Sequence, residues 1–167
     1  MTNVYCVRAQ YGKYAANFVR GGYVAMPWDV EKDLSGVRNI EDLRSHYYEE
    51  RPKTKGMVAE QYIGQIARFL FDLKPGDLVV TPSYETEQIY HGTLKTQPYY
   101  YNHVKDGCPF PHRRAVLWDP NSIPTGEFSE SFQRQMRSFM TIFPISQTAD
   151  FLSVINRNRF TKEDLKT

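Results

Sequence analysis

The fold is decided by residues 56–81, GMVAEQYIGQIARFLFDLKPGDLVVT, which carry the clearest periodicity in the chain. Seven apolar residues recur there at helical spacing: Ala59, Tyr62, Ile63, Ile66, Phe69, Leu70 and Leu73. Because the polar residues lie mostly opposite, the pattern predicts an amphipathic helix over residues 56–73 that faces the core. The turn at residues 74–77, KPGD, ends this helix and begins a strand at residues 78–81.

Further strands and helices are predicted on both sides of this stretch. Runs rich in β-branched and aromatic residues predict strands at residues 4–9, 23–28, 88–95, 99–101 and 113–118. Asn39 is predicted to cap one helix, and Ser129 a later one that carries Phe132, Met136, Phe139, Met140 and Phe143. A short helix is predicted at residues 150–155. Since the strands between residues 78 and 118 follow one another without helices, we expect an α+β fold with a small, curved, mixed sheet or barrel flanked by helices.

Length and composition indicate one soluble domain. The chain has 167 residues, of which 41% are hydrophobic and 24% are charged, enough apolar surface for a sizeable core. No charge-free run approaches the ~20 apolar residues of a membrane span, and no secretory signal is visible, so we expect a cytoplasmic protein that does not bind membranes. Residues 1–156 are predicted to form one domain. Polar residues 157–167 are predicted to be a linker toward a downstream effector domain.

The patterns of common catalytic and metal sites are missing from the sequence. There is no Gly-x-Ser-x-Gly elbow, dinucleotide fingerprint or Walker loop. The four histidines and two cysteines do not have the spacing of metal ligands. We therefore predict a non-catalytic chain without a metal or cofactor.

Charge and aromatic content bear on possible partners. The net charge of +2 is too small for a uniformly basic nucleic-acid binder, so any such binding needs a local patch. Aromatic residues make up 14% of the chain. Whether these rings form core or binding surface is the question that the composition raises.

An ordered set of motifs resembles a known family. The motifs are VYCVRA at 4–9, VAMPWD at 24–29, DLS at 33–35, GQIARF at 64–69, GDLVVTP at 76–82, IYHG at 89–92, YYY at 99–101, HRRAVLW at 112–118, FS at 128–129 and SFMT at 138–141. In order and spacing they resemble the N-terminal domain that precedes the catalytic domain in many Mrr-type, modification-dependent restriction endonucleases. Pro27 departs from that pattern, where a small residue such as Gly is expected.

Such domains are similar to the PUA-like superfamily, which includes the EVE, YTH and ASCH folds. The resemblance implies a small curved β-barrel flanked by helices. It also implies recognition of DNA in which a modified, for instance methylated, base is flipped into an aromatic pocket. The partner would be a fused nuclease beyond Thr167, and the full-length protein an Mrr-like type IV restriction endonuclease.

Trp28 and Asp29 are the first candidates for the base pocket. Trp28 lies where a predicted strand ends, so its ring can border a pocket and stack on a base. Asp29 can accept a hydrogen bond from an exocyclic amino group. The second wall is predicted from Tyr23, Tyr84, Tyr90, Tyr99 and Tyr101. A core position for Trp28, a turn role for Asp29 and core packing for the tyrosines are the alternatives.

Phosphate contacts are predicted from two locally basic segments. The candidates are Arg8, Lys13 and Arg20 in the first segment, and Lys95, Arg113 and Arg114 in the second. Ordinary solvated positions are the alternative for these residues. Two other functions stay open for the domain: a sensor for a small molecule such as a nucleotide, and a protein-interaction module that controls a linked effector.

Overall fold

The computed structural model of the protein describes residues 3–27, 30–138, 140–146 and 148–164, and within these ranges it leaves out the side chains of residues 9 and 159–164. Trp28, Asp29 and Phe139 lie outside the described residues. The predictions made for these three side chains are therefore not examined by the structure.

In the part of the chain that the structure describes, eight strands form one mixed sheet. They are β1 Val4–Val7, β2 Tyr23–Ala25, β3 Leu78–Ser83, β4 Gln88–Leu94, β5 Tyr100–Tyr101, β6 His112–Trp118, β7 Ile123–Pro124 and β8 Ile142–Pro144. The strand order is β2-β6-β4-β3-β1-β8, with β5 paired to β6 and β7 paired to β4. β1 and β3 are parallel, and the other pairs are antiparallel. The sheet is open, since no described pairing joins β2 to β8.

Five α-helices accompany the sheet over the described ranges: α1 Ala15–Gly21, α2 Ile40–Glu50, α3 Gly56–Ala67, α4 Glu130–Gln135 and α5 Thr148–Asp164. A π-helical turn, Arg68–Asp72, continues α3. Of the helices described, none combines the length and the apolar character needed to cross a membrane.

Side chains alternate along the central strands and feed two separate cores. On β1, Val7 belongs to the first core, whereas Val4 and Cys6 belong to the second. On β3, Val79 belongs to the first core and Val80 to the second. This period of two is what an extended strand imposes when both faces of a sheet are covered.

Different parts of the sequence cover the two faces. The first core is closed by residues that lie between β1 and β3 in the chain, among them Phe18, Leu34, Leu43, Ile63 and Phe69. The second core is closed by residues beyond 120, among them Ile123, Phe128, Phe132, Phe143 and Phe151. The sheet therefore separates a core closed mainly by residues 8–77, with Cys108 and Phe110 added, from one closed by residues beyond 120.

The α+β fold with a mixed sheet flanked by helices is confirmed, and so are both helix caps. Asn39 Oδ1 accepts the Asp42 amide at 2.9 Å, and Ser129 Oγ accepts the Phe132 amide at 3.1 Å. The predicted helix through Phe143 is wrong beyond Gln135, because Phe143 lies on β8, where it pairs with Cys6 of β1. The last helix is longer than predicted and continues to Asp164.

Two side chains at the end of α3 hold β8 in place. Gln65 Oε1 accepts the amides of Thr141 and Ile142 at 2.8 and 3.0 Å. Arg68 Nη1 donates to the Ile142 carbonyl at 3.2 Å. The GQIARF motif therefore joins α3 to the edge of the sheet.

Gly92 and Gly64 offer a matched test of the close packing of β4 against β6. A Cβ atom at Gly92 would lie 2.7 Å from both the Leu117 carbonyl oxygen and Val116 Cγ1, whereas a Cβ atom at Gly64 has nothing within 4 Å. We expect Gly92→Ala to lower the free energy of unfolding by about 1–3 kcal/mol through overpacking. Gly64→Ala, inside α3, should raise it by about 0.5–1 kcal/mol. Urea unfolding measures both, and a loss of stability in Gly64→Ala as large as that in Gly92→Ala would contradict the packing described.

Candidate functional site

A cavity of about 440 Å³ opens beside the loop that follows β2. We call it the aromatic pocket; its lining residues are Gln10, Pro27, Val30, Tyr47, Arg51, Thr54, Tyr62 and Phe110. Its volume falls in the range of about 300–1,000 Å³ that is usual for small-ligand sites. In the sequence, Pro27 and Val30 flank Trp28 and Asp29, which were predicted to make the first base contacts.

Two helices and the segment between them form one side of the aromatic pocket. Tyr47 comes from the last turns of α2 and Tyr62 from α3, while Arg51 and Thr54 lie on the connection. The Tyr47 hydroxyl is hydrogen-bonded to the Thr54 side chain, and burial raises the pKa of Tyr47. The pocket therefore combines aromatic walls with neutral and cationic hydrogen-bonding groups.

Phe110, a lining residue from the segment before β6, is held by the residues around it. Its ring packs edge-on against Tyr14 with the centroids 5.2 Å apart. Arg113 Nε donates to the Phe110 carbonyl at 2.9 Å, and the same guanidinium pairs with the Asp106 carboxylate. That hydrogen-bonded ion pair lowers the pKa of Asp106. Arg113 therefore acts as a positioning residue for a pocket wall.

The loop after β2 is anchored by three side chains: Tyr99, which precedes β5, Tyr101 of β5 and His112 of β6. His112 Nε2 is hydrogen-bonded to the Val30 carbonyl. The Tyr99 hydroxyl accepts the Leu34 amide at 3.1 Å, and the Tyr101 hydroxyl donates to the Glu31 carbonyl at 2.9 Å. Residues 30–34 are thus tied to the sheet immediately after the segment that contains Trp28 and Asp29.

The hydrogen bonds around His112 determine its protonation. A carbonyl can only accept, so Nε2 carries the proton that it donates to Val30. Nδ1, 2.6 Å from the Tyr99 hydroxyl, then accepts from that hydroxyl. Burial lowers the pKa of His112 and raises the pKa of Tyr99, so both groups stay neutral and the network is satisfied.

The five predicted tyrosines do not form one wall. Tyr99 and Tyr101 meet beside His112. Tyr23 is buried beneath the Arg113 guanidinium, 3.9 Å from its ring centroid. Tyr84 donates to the Met136 carbonyl at the far side of β3, and Tyr90 packs half-buried on the first core. The described residues that supply the aromatic walls are instead Tyr47, Tyr62 and Phe110.

Three of the six side chains predicted to contact phosphate are buried. Arg8, Arg113 and Arg114 are at most 4% exposed. Arg8 donates to the carbonyls of Met136, Ser138 and Met140, and Arg114 donates to those of Phe69 and Leu73 at 2.7 and 3.1 Å. Guanidiniums enclosed in this way brace irregular backbone, and their burial leaves them little surface with which to contact a phosphate.

The other three predicted cations, Lys13, Arg20 and Lys95, are exposed. Lys13 Nζ lies 5.4 Å from the ring centroid of Tyr14, which itself packs against Phe110. The Tyr14 ring therefore lies between Lys13 and Phe110, a lining residue of the pocket.

Sequence reasoning missed the segment between α2 and α3. Residues 51–56, RPKTKG, hold three cations and no acid, and Arg51 and Thr54 line the pocket. Lys53 and Lys55 are exposed. The local excess of basic residues was the signal that the sequence offered. Arg51 also lines a second depression, together with Glu31, Glu49 and Glu50. Tyr47 and Tyr62 gave no such signal, because their spacing is that of core residues.

A larger groove, of about 900 Å³, lies between the start of α2 and the end of α3. Its lining includes five charged side chains, those of Arg38, Arg68, Asp72, Lys74 and Arg114. The aromatic pocket is the better candidate because three rings line it together with Pro27 and Val30, the sequence neighbours of the predicted base contacts. Over the described ranges, no three His, Cys, Asp or Glu side chains gather as metal ligands would.

The anchor at Tyr99 can be tested by removing one hydroxyl. Tyr99→Phe leaves the Leu34 amide and His112 Nδ1 without their partner, and each buried unsatisfied group costs about 1–3 kcal/mol. We expect the free energy of unfolding to fall by at least about 1 kcal/mol in a urea titration. Tyr100→Phe, the control, removes a neighbouring hydroxyl to which the described residues give no hydrogen bond. Equal effects in the two variants would contradict the anchoring role.

Comparison with known proteins places most of the chain in one family. The family model described as Domain of unknown function (DUF8426) matches residues 6–146. Among curated proteins, no significant sequence match is found. One solved structure with similarity is the crystal structure of protein Atu2648 from Agrobacterium tumefaciens. It is 11% identical in sequence, with a TM-score of 0.45 over 93% of this chain and 92% of that chain.

Proposed function

We propose that this chain, which belongs to the family Domain of unknown function (DUF8426), is a DNA-binding specificity domain that recognises a modified base flipped into the aromatic pocket. The observation that carries the proposal is the pocket lined by Pro27 and Val30, with three aromatic rings and several hydrogen-bonding side chains on its walls. The resemblance of the motifs to the PUA-like N-terminal domains of Mrr-type restriction endonucleases supports the same function.

The aromatic walls suit the energetics of base flipping. Extruding a base costs a few kcal/mol, and stacking on an aromatic side chain returns about 1–3 kcal/mol per base. Among the described rings, Tyr62 is half-buried and offers most of this return, because Tyr47 and Phe110 are only 4% and 8% exposed. Trp28 is proposed to add to it. The pocket can therefore offset the cost of removing a base from its stack.

Specificity for a modification then depends on the rest of the pocket. A methyl group placed in a fitted apolar site is worth about 1–3 kcal/mol, or roughly 10–200-fold in affinity. Gln10, Arg51 and Thr54 present the side-chain types that bind the polar edge of a base. A pocket with both kinds of wall can favour a methylated base over its unmodified parent.

The segment between α2 and α3 fits the DNA backbone. Lys53 and Lys55 are exposed, and Arg51 and Thr54 of the same segment line the pocket. The side chains of Met57 and Val58, next in the chain, are 90% and 52% exposed. Basic residues beside exposed apolar ones are typical of surfaces that position a duplex and hold it open.

In the cell, such a domain would direct an effector. We propose a fused nuclease as that effector, which makes the full-length protein an Mrr-like type IV restriction endonuclease and leaves this chain without catalysis of its own. DNA that carries the modified base is the proposed partner.

Equilibrium titration with paired oligonucleotides tests the function. Duplexes that differ only in one 5-methylcytosine, 5-hydroxymethylcytosine or N6-methyladenine are compared with the unmodified duplex. We expect the wild-type chain to bind one modified duplex at least about tenfold more tightly, as one buried methyl group allows. Tyr62→Ala should remove this preference. Tyr90→Ala, a half-buried ring on β4 that does not line the pocket, is the matched control and should keep it.

Equal affinity for all four duplexes would overturn the proposal. If free nucleotides raised the melting temperature while no duplex bound, the domain would instead be a nucleotide sensor.

The salt dependence of binding tests the basic segment separately. Each phosphate contact contributes about −0.9 to the slope of log K against log salt concentration. Lys53→Gln and Lys55→Gln should therefore each make the slope shallower by about one, with the modified-base preference unchanged. Arg134→Gln, an exposed residue of α4 on the other face of the sheet, should leave the slope as in the wild type. Unchanged slopes in both lysine variants would exclude this segment from the interface.

A further inference from the structure

The larger groove, between the start of α2 and the end of α3, has a strongly one-sided charge. Four cationic side chains line it, those of Arg38, Arg68, Lys74 and Arg114, against one carboxylate, that of Asp72. Its volume of about 900 Å³ lies near the upper end of the range for small-ligand sites. The proposed DNA-binding function makes no use of these charges.

The four cations are not neutralised within the described part of the chain. None of them forms an ion pair there with a carboxylate. Asp42 accepts a hydrogen bond from the Arg38 amide at 3.3 Å and not from its guanidinium. On α2, by contrast, the guanidinium of Arg44 is paired with both Glu41 and Glu60. The groove therefore keeps a positive potential that a bound anion would balance.

Arg114 adds a buried charge and fixes the backbone beside the groove. Its guanidinium donates to the carbonyls of Phe69 and Leu73, within and just after the π-helical turn, a feature that is frequent at functional sites. The enclosed Nε has no hydrogen-bond partner among the described residues. Burial lowers the pKa of Arg114 more than the nearby charge of Asp77 raises it. Arg114 is too enclosed to bind a ligand directly, but an anion in the groove would reduce the cost of burying its charge.

Arg38, Arg68 and Lys74 are the cations that a ligand can reach. Arg38 and Lys74 are exposed, and Arg68 is half-buried. Arg68 donates to the Ile142 carbonyl through Nη1, and no described acceptor takes its remaining N–H groups. Lys74 Nζ donates to the Phe71 carbonyl at 2.6 Å and keeps two of its three donors. Three charged side chains therefore have donors to spare, as the binding of phosphate oxygens requires.

Apolar side chains form the rest of the wall. They are those of Ile40, Leu70, Phe71 and Pro98, and each of them is at least partly exposed. A phosphate ion alone makes no use of this apolar wall, whereas a phosphate ester with a flat organic group does. Because the cations line a concavity, a small molecule can meet several of them at once more readily than a stiff duplex can.

We propose that the larger groove binds a nucleoside phosphate, with its phosphates on Arg38, Arg68 and Lys74 and its base against the wall that contains Phe71. This site is separate from the aromatic pocket and does not depend on the proposed function. Ile40 of the groove and Tyr47 of the pocket are about two turns apart on α2, or about 10 Å along its axis.

Isothermal titration calorimetry on the wild-type chain tests for the ligand. The probes are ADP, GDP, CDP and UDP, with inorganic phosphate and the four nucleosides for comparison. We expect at least one diphosphate to bind about tenfold more tightly than inorganic phosphate, as one stacking contact implies. Its nucleoside should bind at least about tenfold more weakly than the diphosphate, because it lacks the charge-assisted hydrogen bonds.

Variants of single charges test the position of the ligand. Arg38→Gln and Lys74→Gln should each lower the affinity for the diphosphate about tenfold through the loss of one charge-assisted hydrogen bond. Asp72→Asn removes the one lining carboxylate of the described residues and should raise the affinity about threefold. Arg44→Gln, the control, removes a paired cation that does not line the groove and should bind as the wild type does. Melting curves confirm that each variant is folded.

Four results would overturn the proposal. The first is that no diphosphate binds more tightly than inorganic phosphate, which would leave only unspecific attraction between charges. The second is unchanged affinity in both Arg38→Gln and Lys74→Gln. The third is loss of nucleotide binding in Tyr62→Ala, which would place the ligand in the aromatic pocket. The fourth is a pair of groove variants that weaken only duplex binding, which would make the groove a DNA contact.

Discussion

The parallel pairing of β1 with β3 is the constraint on which the rest of the structure depends. Parallel neighbours cannot be joined by a tight turn and need a long crossover. Here residues 8–77 form that crossover, and their apolar side chains close the first core. The lining residues of the aromatic pocket lie in this crossover, with Phe110 as the exception. The later part of the chain is left to cover the opposite face, so the candidate site and the second core are kept apart by the sheet.

Buried arginines make the irregular parts of this arrangement possible. Backbone carbonyls outside helices and strands still need donors when they are buried. Arg8 supplies them around residues 136–140, Arg113 at Cys108 and Phe110, and Arg114 at the π-helical turn. A guanidinium has five N–H groups in a fixed plane, which allows one side chain to serve several carbonyls. Rings beside Arg8 and Arg113 add cation–π contacts.

Sequence patterns predicted the elements better than the site. The period of α3 and the caps at Asn39 and Ser129 act locally, so the helix starts followed from neighbouring residues. Phe143 shows the limit: its spacing from Phe132 fits a helix, but pairing with β1 makes it a strand residue. The pocket depends on the meeting of Tyr47, Tyr62 and Phe110 from distant segments, which no local pattern encodes. Charge likewise does not distinguish an enclosed guanidinium such as that of Arg8 from an exposed ammonium such as that of Lys13.

The attachment of α3 to β8 has a consequence for how the molecule behaves in a crowded solution. The outer edge of a terminal strand normally offers unpaired peptide groups to which another chain can add. On β8, Gln65 occupies the amide of Ile142, Arg68 occupies its carbonyl, and Pro144 has no N–H to offer. Addition of a further strand is thereby hindered at this edge of the sheet. Gln65 and Arg68, which join α3 to β8, therefore also hinder edge-to-edge association between copies of the protein.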